Sequence, residues 1–70
     1  MKPPLSKFEK ADDVLMSVNS NDQMMIKSFE VKEARYNASD RSWEYELSEE
    51  GGNTYEEGKW FAERELTFKR

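Results

Sequence analysis

Residues Arg41 to Phe68, RSWEYELSEEGGNTYEEGKWFAERELTF, decide the fold. Trp43, Tyr45 and Leu47 take every second position, with Ser42, Glu44, Glu46 and Ser48 between them. Successive strand side chains point to opposite faces, so this alternation predicts a half-buried strand. Glu49-Glu50-Gly51-Gly52-Asn53 follows; Gly and Asn tolerate positive φ, which predicts a hairpin or bulge turn. Gly58-Lys59 then turns the chain into Trp60-Phe61-Ala62. Ala62 to Leu66 is too short for a full helix and reads as one helical turn near 62–66, with a closing strand over Thr67 to Lys69. The stretch holds both tryptophans and nine of the aromatic or aliphatic residues able to close a core.

Upstream segments complete this unit. In Asp13 to Asn19, Val14, Met16 and Val18 alternate with Leu15, Ser17 and Asn19, which predicts a strand with an apolar Val14–Met16–Val18 face. The turn formers Asn19-Ser20-Asn21-Asp22 end it. Met24 to Asn37 is ambiguous. Phe29 and Val31 share one parity, while Ile26, Ala34 and Tyr36 share the other. A strand with a bulge accounts for both sets, because one extra residue shifts the parity. A helix competes, since Met25, Phe29, Lys32 and Tyr36 lie on one helical stripe. The bent strand is the preferred reading. Residues 1–12, with Pro3 and Pro4, form an extended arm that Leu5 and Phe8 can pin to a single domain over 13–69.

Seventy residues allow one domain, and a chain this short buries only about 60% of the surface that its unfolded form exposes. There is no cysteine or histidine, which excludes disulfides and zinc sites built on thiolate or imidazole. The same absence removes the commonest general base and the best thiol nucleophile, so no catalysis and no cofactor are expected. Glu49, Glu50, Glu56 and Glu57 lack the alternating Asp/Asn spacing of a calcium loop. The polar start MKPPLSKFEKADD carries no apolar run of signal-peptide or membrane-spanning length. The expectation is an intracellular protein, cytoplasmic or nuclear, with no membrane association. The Asn37-Ala38-Ser39 sequon is then a chance match.

The net charge is −4, and the excess lies in the second half of the chain. Six glutamates and no basic residue stand between Glu44 and Glu57. Such a surface repels nucleic-acid phosphates and suits a cationic partner. Five aromatics, Tyr36, Trp43, Tyr45, Tyr55 and Trp60, are candidates for a cation-binding cage with Glu44 or Glu57 as the anion. Trp43 and Tyr45 share a strand face with Leu47 and are assigned to the core, as Trp60 also can be.

Two motifs carry a resemblance. Ala11-Asp12-Asp13-Val14-Leu15, together with Arg41-x-Trp43-x-Tyr45-x-Leu47, Gly51-Gly52 and Gly58-Lys59-Trp60-Phe61-x-Glu63-x-Glu65-Leu66, resembles the packing pattern of Src-homology-3-like barrels. It is similar to short fungal proteins of unassigned function and, more loosely, to Tudor and chromo-barrel modules. The resemblance spans residues 8 to 69 and implies a mainly β, five-stranded antiparallel barrel with a ligand groove. Tudor domains have a tight acidic-aromatic loop where this chain has the longer Glu49 to Gly58. True Src-homology-3 domains have an aromatic-rich first loop, whereas residues 19–23 hold no aromatic.

These readings converge on a non-catalytic protein-interaction module, monomeric, that binds a basic peptide or protein through an acidic surface. The expected contacts are Tyr36, Tyr55 and Trp60, with Glu50, Glu56 and Glu57 beside them. The alternatives are an acidic mimic of nucleic acid that blocks its binders, and a structural domain with no ligand site.

Overall fold

The structure is a computed structural model that describes residues 4–69. Asp13–Ser20 form β1, Gln23–Asn37 β2, Ser42–Ser48 β3, Trp60–Ala62 β4 and Leu66–Phe68 β5. All pairings are antiparallel, and the sheet order is β4-β3-β2-β1-β5. A 3-10 turn at Glu63–Glu65 joins β4 to β5 where the short helical turn is expected. The Glu65 carboxylate accepts the Ala62 N–H at 2.9 Å and fixes its entry. The fold is therefore mainly β.

The Met24–Asn37 ambiguity resolves as a single 15-residue strand with a bulge. Val31 faces Leu47 but Glu33 faces Glu46, so Lys32 is the extra residue. The bulge moves Ala34 and Tyr36 onto the face already held by Phe29 and Val31, as the change of parity requires. It divides β2 between two neighbours. Its first half pairs with β1 and its second half with β3, meeting at Glu30.

The core comprises Phe8, Val14, Met16, Phe29, Val31, Tyr45, Leu47, Phe61 and Leu66. Val14, Met16, Tyr45 and Leu47 lie on the faces that their alternation assigns. Val18 and Trp43 pack at its rim, half-buried. The arm is divided. Leu5 is 96% exposed, whereas Phe8 is fully buried, edge-on to both Tyr45 (5.3 Å between ring centroids) and Phe68 (4.7 Å). Phe8 therefore belongs to the packed domain, while residues 1–3 of the expected arm, including Pro3, lie outside the described residues. Backbone bonds between Val31 and both Ala11 and Asp12 seat the arm beside the bulge.

Candidate functional site

The three aromatics singled out in the sequence go to three places. Tyr36 is half-buried and edge-on to Trp43 at 5.6 Å, and the Trp43 indole N–H donates to the Pro4 carbonyl at 2.7 Å. Tyr55 packs against the core rings of Phe29 (4.5 Å) and Phe61 (5.7 Å). Trp60 lies opposite Glu46 on β3, on the outer face of the sheet, because the register places Phe61 inside opposite Tyr45. The Arg35 guanidinium covers the Trp60 ring at 4.1 Å. Among the described residues no ring contact joins any two of Tyr36, Tyr55 and Trp60. Of the five cage candidates, only Tyr36 and Trp43 are in ring contact among the described residues.

The glutamate row divides as well. Glu44 holds Arg35 at 2.9 Å, Glu46 holds Lys32 at 3.7 Å, and Glu49 holds Lys27 at 2.9 Å. All three cations come from β2, which the sequence leaves 9 to 22 positions away from its partners. The Arg35 hydrogen bond holds the Glu44 carboxyl below the ordinary carboxylate range, against the opposing effect of its burial; a further bond from Asn37 helps. The hydrogen bond from Lys27 to Glu49 raises the lysine. These exposed pairs fix side-chain positions more than they stabilise the fold.

Glu50, Glu56 and Glu57 are exposed and have no ion-pair partner among the described residues. Glu56 and Glu57 lie in a 3-10 turn, Tyr55–Gly58, with φ of 49° and 57° ahead of Gly58 at 89°. Left-handed backbone brings a Cβ too close to the carbonyl oxygen and costs about 1–2 kcal/mol per residue. Gly58 is favoured by its left-handed φ, and a Cβ there would stand 2.9 Å from the Glu46 carboxylate, whose flexible side chain would have to shift. Glu57→Gly is expected to raise stability by about 1 kcal/mol, read as a higher urea midpoint at unchanged slope.

Glu50 lines a cleft of about 510 Å³ between Ser28–Glu30 of β2 and the Ser48–Gly52 turn. Among the described residues, Asp13, Glu30, Glu49 and Glu50 bring four carboxylates to it and Lys69 one cation, with Lys27 paired to Glu49. Gly51 and Gly52, at φ of 99° and 91°, curl the turn so that Glu49 and Glu50 face β2, and the Glu49 N–H closes it on the Asn53 carbonyl at 2.7 Å. Tyr55 adjoins the cleft through Phe29, and the Lys27 amine stands 5.7 Å from both rings on its way to Glu49. Sequence reasoning found the glutamates of this turn but missed Asp13 and Glu30. Their only sequence signal was position, each at the end of a segment that pairing later brings alongside. Among the described residues no helix is long and apolar enough to cross a membrane, and no three carboxylates gather closely enough to hold a metal ion. Comparisons with protein-family models, with curated proteins and with solved structures returned no match.

Proposed function

We propose that the protein is a non-catalytic interaction module, a small Src-homology-3-like barrel whose acidic cleft takes a basic peptide or protein segment. The observation that carries this reading is the convergence of Asp13, Glu30, Glu49 and Glu50 on one cleft. A concave site in which one sign of charge is in excess, here four carboxylates to one lining cation, Lys69, among the described residues, concentrates the opposite charge. Glu50 is the contact retained from the sequence expectation, with Tyr55 as the aromatic neighbour; a Trp60 contact would require Arg35 to leave its ring. The barrel reading draws on the strand order, the bulge that shares β2 between two neighbours, and the 3-10 turn between β4 and β5. A cysteine-free chain suits a reducing, intracellular setting. The nucleic-acid mimic is the weaker reading, because Glu44 and Glu46, which lie outside the cleft, each already hold a cation.

The test is an NMR titration with a Lys/Arg-rich peptide at rising salt. Amide signals of Glu30 and Glu49–Gly52 are expected to shift, and the affinity to fall with ionic strength as exposed charges are screened. Glu49→Gln with Glu50→Gln is expected to weaken binding several-fold. A panel of basic peptides that leaves these signals unmoved would falsify the reading. Competition with DNA for a basic protein, without peptide binding, would favour the mimic.

A further inference from the structure

Ile26 is left out of the parity that the bulge restores. It lies before the bulge and is 66% exposed, flanked by Met24 at 68% and Met25 at 54%. The cause is unequal pairing. β5 reaches β1 only at Val14–Met16, and β3 reaches β2 only from Glu30 onward. Ser17–Ser20 and Gln23–Ile26 therefore form a two-stranded ribbon with both edges open, and the β3-side edge of β2 stays unpaired as far as Phe29.

The hairpin geometry says which backbone groups are unused. Asn21 and Asp22 have φ of 51° and 63°, and Ser20 faces Gln23, as in a two-residue type I′ turn. The closing pair of such a hairpin is hydrogen-bonded, and bonded pairs alternate from there. Gln23, Met25, Lys27 and Phe29 thus spend their N–H and C=O groups on β1. Met24, Ile26 and Ser28 turn theirs outward, along the line that β3 occupies from Glu30.

This edge lacks the usual protection against pairing. Edge strands are commonly guarded by charge, proline or a bulge. Val14 to Ser28 contains one acidic and one basic residue, in a chain with 11 basic and 15 acidic residues in 70. The basic one, Lys27, is engaged with Glu49. Scarce charge with exposed methionine is the composition of an interface core.

We propose that the Met24–Ser28 edge takes an added antiparallel strand from a partner segment that is basic at its N-terminal end and alternately apolar after it. The inference rests on the reading of the cleft as a site for basic residues. An antiparallel strand on β2 begins beside Glu30, where the cleft and its carboxylates lie, and then runs past Ile26 and Met24. Its first residues meet negative charge and its later ones meet apolar side chains. A second copy of this chain fits less well. Pairing two β2 edges about Ile26 sets Met24 against Ser28 and extends to Asp22 against Glu30, which drives an acidic turn into an acidic cleft. Attraction for the basic segment and repulsion of the second copy together select the occupant. Lys27 holds the position at Glu49 that an incoming cation would take, so Lys27→Ala is expected to tighten binding.

The probe is a synthetic peptide, RKRVTVTV, with a scrambled version of the same composition as control. On binding, the amide protons of Met24, Ile26 and Ser28 are expected to slow in hydrogen exchange. Ile26→Pro removes an N–H that no strand uses, a position where edge proline is tolerated, and is expected to lose about tenfold in affinity, or 1.4 kcal/mol. Ile26→Lys serves as a second edge variant if proline disturbs the hairpin. N-methylation of alternate peptide amides tests the same bonds without altering the protein. Binding that depends on Glu49 and Glu50 but ignores both edge variants and N-methylation overturns strand addition while leaving the basic-peptide reading intact. Equal binding of the scrambled peptide also overturns it. Concentration-dependent protection of Met24–Ser28 without peptide assigns the edge to a second copy. Failure of every basic peptide removes both readings.

Discussion

Phe8→Ala is expected to cost about 3–5 kcal/mol, the range for removing a buried phenylalanine, and to leave the protein largely unfolded at ambient temperature. Small domains have only about 5–15 kcal/mol in total, and a 70-residue chain sits at the low end. Phe8 is fully buried and touches strands from both halves of the sheet, Tyr45 on β3 and Phe68 on β5. Its removal therefore leaves a cavity where the two halves meet, and neighbouring strands cannot collapse into it without breaking their register. Leu5→Ala is the internal control: at 96% exposure it should change the melting temperature little. Urea and thermal melts of the two variants check the contrast. An Phe8→Ala variant as stable as the parent would show that the arm only rests on the domain.

Tyr45 carries the second large effect. Its ring is fully buried, and its hydroxyl donates to Glu63 at 2.5 Å while accepting the Phe8 N–H at 3.3 Å. The same Glu63 oxygen accepts the Lys7 N–H at 2.9 Å. One phenol thus ties the arm, β3 and the 3-10 turn at Glu63–Glu65 together. Tyr45→Phe keeps the ring but strands the buried Phe8 N–H, at a cost of about 1–3 kcal/mol. The phenol also makes stability depend on alkaline pH. Burial, with help from the bond to Glu63, pushes its pKa up to about 12 from 10. The folded state therefore keeps its proton where the unfolded state loses it. The contribution is complete below pH 10 and is lost as pH rises from 10 to 12, for a total of about 3 kcal/mol. Phenolate absorbance should show a late-titrating step in the parent that Tyr45→Phe lacks, and the parent's melting temperature should fall more steeply over that window. Identical slopes for the two proteins would sink the assignment.

The elements that were legible beforehand share a property. The β3 face of Tyr45 and Leu47, the β1 face of Val14 and Met16, and the parity break in β2 are all read from neighbours within a few residues. Alternation is local, because the backbone itself sends consecutive side chains to opposite sides. The glycine turn at Gly51–Gly52 is local for the same reason, since its left-handed backbone favours glycine. The candidate site was less legible. Glu50 could be named from the turn, whereas Asp13 and Glu30 come from two other strands and reach the cleft only through pairing.

The sequence by itself determined a mainly β chain, the positions of its turns and the inward faces of β1 and β3, and it left a bulged strand and a helix competing over Met24 to Asn37. Tertiary structure decided the rest. It chose Phe61 over the adjacent Trp60 for the interior, because the β3–β4 register sets which of two neighbours faces Tyr45. It drew Phe8 into the core and gave the glutamate row its cations from β2. It also left Met24–Ser28 uncovered, because β3 and β5 end before they reach the hairpin. Each of these depends on which distant segments lie alongside one another and for how long, and alternation along a single strand carries neither quantity.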